Sequence, residues 1–429
     1  MTRMLPSLSD EFRDGWRIIL GGALAAGTGV GVVFLNFSMF ILPISQEFNV
    51  SRGDLGSVQA LIVTAALGSP IFGRAADLFG ARSTFVASTV MVAGVYCLTA
   101  GYASSLLHLA LAIAAIGFLG IGSTAVVLSR PITTHFVNHR GKALGLMAVG
   151  VALVAMVSPP LVQGLLQSWG WRAGFFGFAI ASVMVGIPAV LLLLPKSTHE
   201  GKKLPTVGDE KWIGADHRFW VERDFWLLTF SLISMSLATA GTVSQLAPMI
   251  VDEGIGAGTA ALALSFFAGG QFIGRLLGGW LLDLYAPNRV AFCLTLIPVM
   301  GFMTLIGTHG FVPAALLAAA IIGLQQGAEL DIFTYFVGRR FGMVRYGTIY
   351  GALAGLGWIG NVGGMLAMGQ IYDRYGSYLP AQLMAITALI VSALLILAVR
   401  LPNSESDAEA TLSEEQNTIV NIAKPSSQS

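Results

Sequence analysis

Charge is what this sequence has least of. Asp, Glu, Lys and Arg together make up 11% of its 429 residues, against about 25% in soluble domains. Net charge is +1, which removes the basic footprint that nucleic-acid binding requires. Cysteine is nearly absent too. Cys97 and Cys293 lie in separate apolar runs, which excludes a disulfide framework or a zinc knuckle. There are six histidines; His108 and His309 fall at the ends of apolar runs, and neither has a metal-ligand companion four residues on. No Gly-x4-Gly-Lys-Ser/Thr loop occurs, so nucleotide hydrolysis of the usual kind is not expected. No nucleophile–base pair is evident either. The expectation is a non-enzyme with no cofactor and no metal.

What is abundant is apolar. Hydrophobic residues make up 55% of the chain and glycine contributes 52 residues; mean hydropathy is +0.74. That much apolar surface cannot be hidden in one water-soluble core, and it excludes a disordered chain. A helix crosses a bilayer with about 20 apolar residues. Such runs occur at 16–44, 54–76, 83–102, 106–136, 143–167, 173–194, 224–251, 259–282, 290–308, 312–337, 347–370 and 379–400. The expected architecture is therefore all-α and membranous, with twelve transmembrane helices in two six-helix bundles, 16–194 and 224–400. A charged linker over 195–223 joins them. A short cytoplasmic segment, 1–15, precedes the first bundle, and an acidic tail, 401–429, reads as disordered. The mixed charge of the first residues and the length of the first apolar run predict a retained helix rather than a cleaved signal.

The basic residues test this map. With a cytoplasmic N-terminus, 19 of the 24 lysines and arginines face the cytoplasm. Only Arg52, Arg172 and Arg374 fall on the opposite side, and Arg130 and Arg275 remain inside spans. Such a bias follows the positive-inside rule and predicts both termini in the cytoplasm.

The halves repeat. Overlaying span 2 on span 8 pairs Gly68 with Gly274, Gly73 with Gly279 and Asp77 with Asp283; spans 4 and 10 pair Gly122 with Gly327, Phe136 with Phe341 and Arg140 with Arg345. Duplication of this kind is a transporter architecture with substrate bound near the midplane. The run Gly73-Arg74-Ala75-Ala76-Asp77-Leu78-Phe79-Gly80-Ala81-Arg82 resembles the loop 2–3 signature of the major facilitator superfamily. Its second copy keeps Gly279, Asp283 and Arg289. Arg140-Gly141-Lys142-Ala143-Leu144-Gly145 and Gly170-Trp171-Arg172 are similar to further motifs of that superfamily. The resemblance implies two pseudo-symmetric bundles that rock about a central cavity. Gly73, Asp77, Gly80, Arg82, Asp283 and Arg289 would then form a gate, because a carboxylate at a helix end can cap a neighbouring helix or pair with loop arginines in one state only.

Ionisable residues inside spans are costly and usually functional. Four stand out: Arg130, Arg275, Glu329 and Asp331. Arg275 precedes Asp283 by eight residues, about 12 Å of helix, and Glu329 precedes Arg339 by ten, about 15 Å, so both sit near the midplane. The repeat partner of Arg275 is Ser69, so the shared fold does not require a cation there. A guanidinium can grip a carboxylate with two parallel hydrogen bonds. Alternatively, Glu329 or Asp331 neutralises it in a structural pair. Arg275-x-x-Gly278-Gly279 and Phe37-Ser38-Met39-Phe40-Ile41-Leu42-Pro43 resemble spans 8 and 1 of the monocarboxylate transporter and oxalate/formate antiporter group, in which a span-8 arginine binds the substrate carboxylate. Two departures are visible. Gln271 stands where animal members have an aspartate, and span 11 lacks the lysine of the oxalate exchanger.

Arg130 precedes Pro131, which predicts a kink in span 4; as a second cation it keeps dicarboxylates open. Glu329 and Asp331 are about 200° apart round a helix and cannot both face one cavity, so one of them is expected to carry a coupled proton. Asn36, Gln245, Tyr335 and Asn361 are further candidate cavity contacts, against a role in interhelical bonding. The expected function is secondary transport of a small organic carboxylate, a monocarboxylate first, by proton symport or anion exchange. The expected setting is a monomer in a bacterial inner membrane whose partners are the anion, protons and lipid. The alternative is proton-driven drug efflux by the same fold.

Overall fold

The computed structural model describes residues 8–136, 140–195, 217–342 and 346–401. Most of the central linker and the acidic tail lie outside them, as does Arg345. Eleven helices among the described residues are long and apolar enough to cross a membrane, and a bent pair supplies the twelfth. Span 1 is that pair, Gly15–Gly27 and Val30–Asn36, bent by 46° and continued by Ser38–Phe48. Then follow Arg52–Phe79, Ala81–Tyr102, Leu106–His135, Lys142–Trp169, Trp171–Leu193, Arg223–Asp252, Ala257–Leu282, Pro287–Ile306, Val312–Phe341, Tyr346–Tyr375 and Leu379–Leu397 as spans 2 to 12. Spans 1 to 6 form one bundle and spans 7 to 12 the other. Span 1 begins and span 12 ends on the same side, called here the terminal face; the other side is the distal face.

The two bundles are built differently. The first is full of interruptions, each with its freed backbone groups satisfied, as apolar surroundings demand. Span 1 breaks where Gly29 is extended (φ −78°, ψ −167°). The Ser182 hydroxyl donates to the Thr28 carbonyl at 2.8 Å, and the Val30 amide donates to the Ser123 hydroxyl at 3.2 Å. Ser182 itself opens a π-turn, Ser182–Gly186, in span 6. Span 4 is interrupted by a tight turn over Ile121–Ser123, with Thr124 extended and capping Val126. Pro131 lies inside the helix Ala125–His135, and the break in the helix falls in the turn before it.

The second bundle packs long, continuous helices at close range. Spans 7, 10 and 11 each run unbroken for 30 residues. Between spans 8 and 10, Gly270, Gly274 and Gly278 face Gly323, Gly327 and Ala328. A methyl on Gly274 would collide with the Leu324 carbonyl, and one on Gly327 with the Gln271 carbonyl. Small residues at such positions let backbones approach where apolar burial provides no drive.

The bundles meet at the distal face and diverge toward the terminal face. The distal half of span 2, Arg52–Ala60, packs on span 11, whereas its other half, Ala65–Phe79, contacts spans 3 and 4 of its own bundle. Gly56 presses on the Met365 carbonyl and Gly369 on the Arg52 carbonyl, while Gly73, Gly279, Gly351 and Gly355 face open space. A cavity between the bundles therefore opens on the terminal side. The glycine seam is testable. Gly327→Val should destabilise the protein beyond the roughly 1–3 kcal/mol of ordinary overpacking, since its obstacle is backbone. Gly164→Ala, with nothing within 4 Å, should hold or slightly raise the melting temperature; thermal denaturation in detergent measures both.

Candidate functional site

Span 8 turns its glycines to span 10, and this fixes where Arg275 points. Ile273 and Trp280 are exposed apolar residues that mark the lipid side, and they lie about 160° and 140° round the helix from Arg275. Arg275 is thus turned away from that lipid side, and it is exposed. It forms no hydrogen bond and no ion pair within 4 Å among the described residues. One turn away, Asp331 of span 10 approaches Gly278; a Cβ there would lie 3.6 Å from Asp331 Oδ2. Asp331 is partly buried and within electrostatic reach of Arg275 without touching it. On the same face of span 8, Gln271 donates to Gln326 of span 10 at 2.7 Å.

Glu329 faces the other way, toward span 7, where the Ser236 hydroxyl donates to its Oε1 at 3.1 Å. One turn earlier the buried Gln325 lies within hydrogen-bonding reach of Glu329. Tyr350 of span 11 lies within electrostatic reach of both carboxylates, and its ring stacks on Tyr346 at 5.6 Å with 1° between the planes. Arg275, Gln271, Gln326, Asp331, Glu329, Ser236 and Tyr350 thus form one polar strip, all from the second bundle.

The remaining candidates have other partners. Arg130 forms an ion pair with Asp77 near the terminal face, which joins a candidate substrate contact to the candidate gate. Asn36 is buried and donates to Ser158 of span 5 at 3.0 Å and to the Val32 carbonyl at 2.7 Å. Gln245 is fully buried and accepts from the Tyr378 hydroxyl at 2.9 Å, toward the distal face. Tyr335 accepts from Arg339 at 2.9 Å, and Asn361 donates to the Gly357 carbonyl of its own helix at 3.3 Å.

Of the other gate residues, Arg82 donates to the Leu191 carbonyl of span 6. Gly80 has φ 85°, a conformation that favours glycine in the tight link between spans 2 and 3. Gly73 faces open space, and Arg289 is exposed in the first turn of span 9. The side chain of Asp283 lies outside the described residues. No group of three His, Cys, Asp or Glu that could hold a metal occurs among the described residues.

Twelve spans, two bundles, a cavity between them and a mid-span arginine turned away from lipid describe a carrier. A family model of the Major Facilitator Superfamily matches residues 19–360. The chain belongs to the Major Facilitator Superfamily. It is accordingly a transporter and not an enzyme. It is 25% identical to human monocarboxylate transporter 11 over 395 residues, covering 88% of this chain and 81% of that protein. A shorter match, 29% identical over 133 residues and 31% of this chain, is to a multidrug resistance protein of Schizosaccharomyces pombe. Among solved structures, a bacterial homologue of the human lysosomal transporter Spinster, in an inward-facing and unoccupied conformation, superposes with TM-score 0.65 at 15% identity, covering 93% of this chain and 100% of that one. At that identity the likeness speaks for the fold alone.

Sequence reasoning did not find Ser236, Gln325, Gln326 and Tyr350. The adjacent glutamines one turn before Glu329 were a usable signal. A serine in an apolar span was not, because serines here bond their own helix, as Ser69 does, as readily as a neighbouring one. The Arg130–Asp77 contact makes a prediction. Both side chains are more than 40% exposed, at 43% and 44%, so a double-mutant cycle with Arg130→Ala and Asp77→Ala should yield a coupling of only about 0.2–1 kcal/mol in thermal stability. A coupling well above 1 kcal/mol would mean that the pair is shielded rather than exposed.

Proposed function

We propose that this transporter carries a small organic monocarboxylate, with Arg275 as the residue that holds the carboxylate. The observation that carries the reading is the Arg275 guanidinium, near mid-span, exposed and with no hydrogen bond or ion pair among the described residues. An arginine in an apolar span with no carboxylate on it is costly, and an incoming carboxylate offsets that cost with charge-assisted hydrogen bonds. Gln271, Tyr335 and Asn361 are proposed to contribute polar contacts to the rest of the solute. Among the described residues Arg130 is engaged by Asp77 while Arg275 is not paired, which favours a monoanion over a dianion. The relatedness to monocarboxylate transporter 11 supports the same class. A cationic drug is disfavoured, since Arg275 would repel it.

Proton coupling follows from the carboxylate beside the arginine. While ionised, Asp331 competes electrostatically for Arg275; once protonated, it leaves the full guanidinium charge to the substrate. Proton and anion would then arrive together. Glu329, hydrogen-bonded to Ser236, is the second candidate carrier. Asp77, Gly80, Arg82, Asp283 and Arg289 are proposed as the gate on the terminal face. That face is proposed to be cytoplasmic from the 19 basic residues assigned to it, the membrane to be a bacterial inner membrane, and the working unit to be a monomer.

Purified protein in liposomes, offered a panel of mono-, di- and aromatic carboxylates with and without a pH gradient, tests this. Arg275→Ala should weaken monocarboxylate uptake by roughly 10–100-fold, the loss of a charged hydrogen-bond pair, with Arg275→Lys intermediate. Undiminished uptake by Arg275→Ala would end the carboxylate reading. Acidifying the solution on the distal side should stimulate wild-type uptake, and Asp331→Asn or Glu329→Gln should blunt that response. If neither does, those residues do not carry the proton.

A further inference from the structure

The distal face holds a cluster that the substrate reading does not use. Span 2 begins there in a capping box: the Ser51 hydroxyl accepts from the Asp54 amide at 3.0 Å, and Asp54 accepts from the Ser51 amide at 3.1 Å. The box fixes the first turn and with it Arg52. From the first bundle, Arg52 reaches into the second. It donates to both oxygens of Asp252, at the end of span 7, at 2.6 and 2.9 Å, and to the Tyr378 hydroxyl, before span 12, at 3.1 Å. Its guanidinium lies 4.0 Å from the ring centre of Tyr372 and 5.6 Å from that of Tyr378. Beside it the Gly53 amide donates to Asp373 at 2.8 Å, and Gly369 abuts the Arg52 carbonyl. The Arg52 side chain is 14% exposed. Tyr378 also donates to Gln245, a fully buried residue of span 7, so the bonded chain runs inward from the surface.

We propose that this cluster is the latch that holds the distal face shut, with Arg52 as its bolt, Asp252 and Tyr378 as its keepers, and Gln245 positioning Tyr378. Each of these side-chain contacts of Arg52 crosses between bundles, so each must break before the distal side can open. The neighbouring distal cluster has the opposite character. Arg172 and Trp171 both bond Glu47, at 2.6 Å each, and all three belong to the first bundle, so rocking leaves them intact. Shielded, bidentate and stacked on aromatic rings, Arg52 has what an exposed surface pair lacks for biasing a two-state equilibrium. The proposal does not depend on which solute is carried.

Two cysteine reporters, each in the full chain with Cys97→Ser and Cys293→Ser, test it by maleimide labelling in detergent. Ser38→Cys reports on the distal half. Ser38 is fully buried and lines, with Leu42, Gln163, Val251 and Ala260, a 190 Å³ pocket between the bundles. Gly355→Cys, in open space, reports on the terminal side. Arg52→Ala should speed labelling at position 38 by roughly tenfold or more, as expected for truncating one partner of a shielded charge pair, and should slow it at position 355. The exchanged pair Arg52→Asp with Asp252→Arg should return both rates toward wild type. Asp252→Asn, which keeps shape and loses charge, serves if Arg52→Ala does not fold. Unchanged rates overturn the proposal. So does a rise at both positions, which means general loosening rather than a shift between two states.

Discussion

The constraint on which this molecule rests is that no backbone amide or carbonyl can be left bare in hydrocarbon. Continuous helices meet it without help, and the second bundle uses them almost exclusively. The first bundle departs from regular α-helix in spans 1, 2, 4 and 6, and hydroxyls of Ser182, Ser123 and Thr124 take up backbone groups freed in spans 1 and 4. Thr28, Ser123 and Ser182 are drawn together for this reason. Their convergence ties three broken helices at one level, so the first bundle bends at a place that is chemically closed.

The second bundle solves a different problem. Its helices are continuous, and its polar strip runs along spans 7, 8, 10 and 11. Glycine contact between spans 8 and 10 brings the two polar faces close enough for Gln271 to bond Gln326 directly and for Asp331 to reach the arc occupied by Arg275 without closing on it. The first bundle supplies bending and the second supplies chemistry, within a fold whose halves descend from one pattern. Arg275 stands where the repeat has Ser69, which is where that division of labour is visible in the chain itself.

Most of the architecture was legible because it depends on local quantities. Run length places the spans, basic residues sort the loops, and the glycine and aspartate repeats expose the duplication. Arg275 was legible for the same reason: depth along a helix and mismatch with a repeat partner can both be counted. What escaped was pairing across distance. Arg130 looked like a spare cation until Asp77 of another span was found against it. Arg52 looked like one of three stray charges on the far side, because its partners come from spans 7, 11 and 12. The break in span 4 escaped for a different reason. Proline is a visible suspect, yet Pro131 is carried inside a helix, and the break falls where Thr124 can cap the next turn.

The glycine seam between spans 8 and 10 limits how this carrier can diversify. Two backbones in direct contact leave no side-chain volume to trade, so the separation of Arg275 from Asp331 cannot be tuned by small repacking changes, as an ordinary core could be. Related chains that accept larger or smaller solutes would therefore have to vary side chains on other spans, while spans 8 and 10 act as one rigid part.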